Sequence, residues 1–213
     1  MPKPYFHNKN HIIDEILRVN HAGEYGAVRI YKGQIDGITV ASNIIPIDSN
    51  VIIPIDSNVI PAQAGIQDQY KLDSHLRGND ILHHMLDQEK IHLAYFESQI
   101  QSHHSRPTIF LPLWHMGGYL MGKISAMIGP KTAMLCTEAV EEVIDEHYQS
   151  QKQILHDIGE KELAGKVEQF RLEELEHRDI AIEHGSKEAP VYRAFKGVIN
   201  KICRVAIWMS KVT

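Results

Sequence analysis

The sequence predicts an all-α protein: a four-helix bundle with two additional apolar or amphipathic helices and one long inserted loop. Three observations predict it. Apolar residues recur at steps of three and four along most of the 213-residue chain. β-Branched alternating runs are few. The breaks fall on residues that end helices, namely Pro107, the pair Gly129–Pro130, Gly159 and Gly185. The candidate helices span roughly 11–37, 80–104, 109–128, 131–156, 160–184 and 190–212.

The whole chain, 1–213, reads as one domain, long enough for a real core. Its composition, 43% hydrophobic and 23% charged, is that of a soluble globular protein. The net charge of −5 is unevenly spread. Residues 191–213 carry Arg193, Lys196, Lys201, Arg204 and Lys211 and no acid, leaving 17 basic and 27 acidic side chains, a net of −10, on the first 190 residues. An acidic body argues against nucleic acid as the main partner, and a basic apolar tail points to an anionic membrane surface. The two cysteines, Cys136 and Cys203, form no C-x-x-C pair, which fits a reducing cytoplasmic location. The N-terminus has no long apolar stretch, so no cleaved signal peptide is expected.

The first helix aligns Ile13, Leu17, Glu24, Ala27 and Tyr31 on one stripe. Residues 39–79 differ from the rest. "IPIDSNVI" occurs at 45–52 and again at 53–60, a period too short and too proline-interrupted for a helical or solenoid repeat. The stretch "VIPAQAGIQ…LDSHLRGND" (59–80) resembles the translated palindromic repeat elements inserted in frame in some bacterial genes, and we take 39–79 as an insertion between the first two helices. The second helix aligns Leu82, Leu86, Glu89, Leu93, Phe96 and Ile100, with His92 beside Glu89. The third, 109–128, is apolar all round but interrupted by His115 and Lys123, with Pro112 and Gly117–Gly118 inside. A span needs about 20 apolar residues, so a helix lying in the interface or lining an apolar pocket is favoured over one that crosses. The fourth aligns Met134, Thr137, Glu141, Ile144, Tyr148 and Leu155, while Glu138, Glu142, Asp145 and Gln149 form a separate polar face. The fifth aligns Leu163, Val167, Phe170, Glu174, His177 and Ala181, leaving Glu173 and Glu176 off the stripe and solvent-facing. The last sets Val198, Ile202, Val205 and Trp208 against its basic residues, as an interfacial helix would.

Glu-x-x-His occurs twice, as Glu89–His92 and Glu174–His177. That spacing places both side chains on one helix face, about 5–6 Å apart at Cβ. With Glu24 and Glu141, four glutamates and two histidines are aimed into one core. Burying isolated carboxylates costs several kcal/mol each, and too few inward-facing Lys or Arg residues exist to neutralise them. Protonation, or one or two divalent metals, are the remaining solutions. A glutamate from each of two helices plus Glu-x-x-His from two others is the ligand set of ferritin-like di-iron and di-manganese bundles. Mixed carboxylate and imidazole ligation favours iron or manganese over zinc. His83, His84, His103 and His104 read as solvated, and His147 reads either as support for Glu141 or as a surface residue.

"RVNHAGEYGAVRIYKGQ" (18–34), "DQEKIHLAYF" (87–96), "AVEEVIDEHY" (139–148), "FRLEELEHRD" (170–179) and "CRVAIW" (203–208) resemble the demethoxyubiquinone hydroxylase family. The resemblance covers roughly 11–38 and 80–213. It implies a ferritin-like bundle with a carboxylate-bridged di-iron centre, two iron ions per chain, attached peripherally to the cytoplasmic face of a bacterial inner membrane. It also implies hydroxylation of a polyprenyl methoxy-benzoquinol by O₂ in ubiquinone biosynthesis. The ligands carried over by motif are Glu24, Glu89, His92, Glu141, Glu174 and His177, with Glu89 and Glu174 in the bridging positions. Asn20 stands where the family usually has Asp and Trp208 where Tyr is common; neither is a ligand position. No G-x-G-x-x-G fingerprint is present, so electrons would come from an external donor, with NADH the candidate. Further copies of the chain or other ubiquinone-biosynthesis proteins are the remaining expected partners.

Two rival readings stand beside this one. The first is another ferritin-like di-metal oxidoreductase, a ferroxidase or peroxide-reducing enzyme; the two scattered cysteines exclude a Cys₄ electron-transfer module. The second is a non-catalytic membrane-attached helical scaffold whose inward carboxylates are protonated or salt-bridged.

Overall fold

A computed structural model describes residues 9–44 and 78–211. They form six α-helices and one short 3₁₀ turn, with no strand among the described residues. We label them α1 (Lys9–Ile44), α2 (Gly78–Ser102), α3 (Leu111–Ile128), α4 (Pro130–Asp157), α5 (Lys161–Glu183) and α6 (Tyr192–Lys211), with the turn at Ser186–Glu188. The helix order matches the expectation from periodicity. One boundary differs by more than two residues: α1 runs to Ile44, so residues 39–44, assigned above to the insertion, continue the helix, and α2 takes up 78–79 at the other end. The repeats at 45–60 lie outside the described residues.

Two antiparallel pairs make the bundle, α1 with α2 and α4 with α5. Their direction follows from which residues meet. Ile13 and Leu17 near the start of α1 share a cluster with Phe96 and Ile100 near the end of α2, and Leu155 late in α4 meets Leu163 early in α5. At the other end Tyr31, Leu82, Met85, Met134 and Ala181 form a second cluster. The residues between these clusters along each helix are the glutamates and histidines singled out above. The site is therefore closed by apolar packing at both ends.

α3 and α6 lie outside the four-helix core, α3 against α1 and α6 against α4. The α1–α3 contact rests on small residues. A Cβ at Gly122 would collide with the Ile30 carbonyl, and one at Gly33 would collide with the Tyr119 carbonyl. Backbone meets backbone there, with no flexible side chain able to yield. Gly122→Ala is therefore expected to cost about 2 kcal/mol through overpacking and to lower Tm by roughly 4–8 °C, as thermal unfolding would show.

α6 is tied to α4 by Glu138. Its carboxylate accepts from Tyr192 Oη (2.5 Å), Lys196 Nζ (2.7 Å) and the Ser186 hydroxyl. Burial works against its charge, but these three donors outweigh that and hold its pKa below the ordinary carboxylate value. Glu138 is thus buried, and the polar face of α4 is where α6 docks. The basic side of α6 differs from expectation too. Lys196 also pairs with Glu142 (2.9 Å), Arg204 with Glu146 (2.5 Å) and Lys211 with Glu15 (3.5 Å), so these cations close onto the acidic body.

α3 and α6 also expose a run of apolar side chains. Leu113, Met116, Leu120, Ile124 and Met127 of α3, and Val198, Ile202, Val205 and Trp208 of α6, are each at least 46% exposed. Among the described residues no helix is long and apolar enough to cross a membrane.

Candidate metal centre

All six residues selected by motif and stripe converge. Glu24, Glu89, His92, Glu141, Glu174 and His177 are at most 1% exposed. They form two overlapping groups: Glu24, Glu89, His92 and Glu174 in one, and Glu89, Glu141, Glu174 and His177 in the other, each with one ligand atom per residue within 4.8 Å of the rest. Glu89 and Glu174 belong to both. A pair of cations sharing two carboxylates would use them that way.

The backbone explains the convergence. Glu-x-x-His on α2 and on α5 stacks each histidine one turn above its glutamate. α1 and α4 each add a glutamate and, seven residues on, a tyrosine two turns away on the same face. The tyrosines cross over: Tyr31 of α1 donates to Glu141 Oε1 (2.8 Å), and Tyr148 of α4 donates to Glu24 Oε1. Each terminal glutamate is so held by one oxygen. Periodicity had placed Tyr31 and Tyr148 in the core stripe without revealing this pairing.

The histidines are gripped from behind. His92 points Nδ1 at Glu174 Oε1 (2.9 Å) and donates from Nε2 to Glu173 Oε2 (2.6 Å). His177 points Nδ1 at the oxygens of Glu89 and Glu174, 3.2 Å from each, and donates from Nε2 to Gln88 Oε1 (2.9 Å). Glu173 is only partly solvent-facing, against expectation: its side chain is 29% exposed, and its position off the α5 stripe brings it across to α2, where it anchors His92. Glu176 is exposed, as expected. Gln88 was missed. The available signal was positional, since Gln88 and Glu173 each immediately precede the glutamate of a Glu-x-x-His motif.

Much of the cluster has nothing to bond to. Glu24 Oε2, both oxygens of Glu89, Glu141 Oε2, Glu174 Oε2 and His177 Nδ1 are buried without a hydrogen-bond partner. Buried polar atoms are rarely left so, and here the unpaired atoms face one another. Burial, then the neighbouring carboxylates led by Glu174, push the pKa values of Glu89 and Glu141 well up. Burial opposes charge on His92, yet Glu174 and Glu24 outweigh it and raise its pKa to about 12. Glu174 is held well below the ordinary range because His177 and His92 overcome its burial. Without cations, then, Glu89 and Glu141 favour their protonated forms and His92 its charged form, which reduces the buried negative charge. Divalent cations would displace those protons, and these groups could hold a metal ion.

His147 does not touch Glu141. It accepts through Nε2 from Gln151 (2.7 Å), whose amide is paired both ways with Asn20 (2.8 and 2.9 Å). Burial first, then Lys211, lowers its pKa to about 4 from 6.5. The unfolded chain therefore takes up the proton more readily. Its contribution is complete above pH 6.5 and is lost as pH falls toward 4, by at most about 3 kcal/mol. His147→Gln should flatten that acid-side loss in urea unfolding at pH 4.5 and 7. His83, His84, His103 and His104 are exposed.

A cavity of about 800 Å³ lies between α1, α3, α4 and α6. Its inner wall includes Gly23, Gly26 and Ala27 of α1 and Val140 and Ile144 of α4, the sequence neighbours of Glu24 and Glu141. Its outer wall includes Leu113, Ile124, Val198, Ile202 and Val205, which also belong to the exposed apolar face. The cavity thus runs from that face in between the two helices, α1 and α4, that carry Glu24 and Glu141.

Comparison with known proteins shows the family. The family described as "Ubiquinone biosynthesis protein COQ7" matches residues 11–47 and 62–210. The chain belongs to that family. The family match leaves out 48–61, where most of the eight-residue repeat lies. The chain is 38% identical over 200 residues to "3-demethoxyubiquinol 3-hydroxylase" of Rhodospirillum rubrum, covering 94% of this chain and 78% of the relative. It is 36% identical over 202 residues to "NADPH-dependent 3-demethoxyubiquinone 3-hydroxylase, mitochondrial" of Homo sapiens, covering 93% and 77%. It is 34% identical over 213 residues to "5-demethoxyubiquinone hydroxylase, mitochondrial" of Saccharomyces cerevisiae, covering 93% and 77%.

Proposed function

We propose that this COQ7-family chain hydroxylates the ring of a polyprenyl methoxy-benzoquinol, demethoxyubiquinol, with O₂ at a di-iron centre in ubiquinone biosynthesis. The observation that carries the reading is the overlap of two four-residue ligand groups on Glu89 and Glu174, with unpaired oxygens facing inward. Glu24 and His92 would hold one iron, Glu141 and His177 the other, and Glu89 and Glu174 both. The irons would supply the redox chemistry by which O₂ reacts with an electron-rich ring. Electrons would come from an external donor. NADH remains our candidate, and several relatives are named NADPH-dependent.

The chain's own part is positional. Tyr31 and Tyr148 hold one oxygen of Glu141 and of Glu24, turning the other toward the centre. Burial and neighbouring carboxylates push both tyrosine pKa values well up, so the hydroxyls stay protonated and donate. Phe96 and Phe170 on one side and Leu82 and Met85 on the other exclude water. The substrate's ring would lie at the inner wall of the cavity, beside Gly26 and Val140, with its isoprenoid tail running out between α3 and α6. Such a tail leaves the bilayer at a cost of about 0.8 kcal/mol per CH₂. The exposed apolar face is accordingly a peripheral membrane contact, on the cytoplasmic face of the bacterial inner membrane. With three α6 cations paired internally, that contact is more apolar than electrostatic. We further take the chain as one domain, with the repeat-containing segment 39–79, less the residues that α1 and α2 take up, as an insertion without chemistry.

Expression in a ubiquinone-deficient strain that accumulates demethoxyubiquinone tests the reading. Disappearance of that intermediate, with ¹⁸O from ¹⁸O₂ in the product ring, is the expected result. Persistent accumulation despite membrane-bound, iron-loaded protein would reject it.

A further inference from the structure

Among the ligand candidates and the groups that hydrogen-bond to them from behind, the two halves of the carboxylate cluster correspond residue for residue, with one exception. Glu24 matches Glu141, His92 matches His177, and Tyr148 on Glu24 matches Tyr31 on Glu141. Glu89 and Glu174 are common to both. The exception lies behind the histidines. His92 donates from Nε2 to a carboxylate, Glu173 Oε2 (2.6 Å), whereas His177 donates from Nε2 to an amide oxygen, Gln88 Oε1 (2.9 Å). Glu173 is held in that role, because its other oxygen accepts from Gln169 Nε2 (2.8 Å).

A carboxylate behind an imidazole draws on the N–H proton more strongly than an amide does, and so makes the opposite ring nitrogen the better metal donor. We infer that the two metal positions are unequal, and that the position on Glu24 and His92 fills first because Glu173 backs its histidine. The position on Glu141 and His177 is the weaker one, set by Gln88. Glu173 and Gln88 are thus positioning residues that rank two otherwise matched sites. This rests on the di-metal reading above.

Manganese(II) titration of the full-length, metal-free protein, followed by calorimetry and by the six-line EPR signal of an isolated ion, tests the ranking. Two successive steps alone do not decide it, since repulsion between two cations splits equal sites as well. Isosteric variants do. If the sites are ranked, Glu173→Gln weakens the first step by about 10–100-fold, and Gln88→Glu tightens the second step while leaving the first within about twofold. If they are equal, Glu173→Gln leaves the first step within about twofold and weakens only the second, and Gln88→Glu tightens the first; either result overturns the inference. Should one variant fail to fold, as circular dichroism would show, the other carries the decision. Two steps in the wild type together with the equal-site pattern in the variants would sink the ranking but spare the di-metal reading. Failure of the wild type to bind manganese(II) or iron(II) would sink both.

Discussion

Glu89→Gln is expected to leave the metal-free protein as stable as wild type or more so, while abolishing the stabilisation by metal and lowering quinol hydroxylation by about 1,000-fold. Both carboxylate oxygens of Glu89 are buried without a partner, and its pKa is pushed well up by burial and by Glu174, Glu24 and Glu141. In the metal-free state it is therefore a neutral acid in a crowded negative site, and glutamine reproduces its shape and charge. With cations present the balance reverses. Glu89 is one of two carboxylates common to both ligand groups, so an amide there weakens both positions together. A ligand that binds only the folded state at 100 times its Kd adds about 2.7 kcal/mol of stability, and the variant should lose most of that. The rate follows, since about 4 kcal/mol of lost stabilisation by the metals corresponds to roughly 1,000-fold. Thermal unfolding with and without iron(II), run beside turnover, gives all three quantities. Equal metal-induced shifts in variant and wild type would show that Glu89 is not a ligand.

Gly26 should show the opposite coupling, stability up and activity down. A Cβ there would meet nothing within 4 Å, and the residue lines the cavity. Glycine inside a helix costs about 1 kcal/mol relative to alanine, and no packing at this position repays it. Gly26→Ala is expected to raise stability by about 0.5–1 kcal/mol, with a modest rise in KM. Gly26→Leu places a branched side chain in the cavity, where the ring would lie, and should cut kcat/KM by about 100-fold or more, mostly through KM, with metal content unchanged. Denaturant unfolding and steady-state kinetics on both variants are sufficient. If Gly26→Leu turns over normally, the ring does not use this wall of the cavity. Gly26 thus differs from Gly33 and Gly122, whose missing side chains let two helices touch.

The six ligand candidates were legible because each lies on an apolar stripe, where a charged residue has no ordinary reason to be. The stripes of α1, α4 and α5 proved buried almost throughout, and the breaks at Gly129–Pro130, Gly159 and Gly185 fell at helix ends as expected. Residues off the stripes were harder. Glu173, Gln88 and Glu138 look like ordinary helix surface, and each becomes buried or engaged only because a second helix arrives beside it. The basic face of α6 misled for the same reason: a cation reads identically whether its partner is a lipid phosphate or a glutamate 58 residues away, as Arg204 with Glu146 shows.

Spacing along single helices was enough to determine which acids and imidazoles would be removed from water, because a helix rotates by a constant angle per residue and burial follows that rotation. It could not determine which residue backs each histidine, which tyrosine holds which glutamate, or where a space would open for a substrate. Those depend on distances between helices remote in the chain, and only the packed bundle sets them.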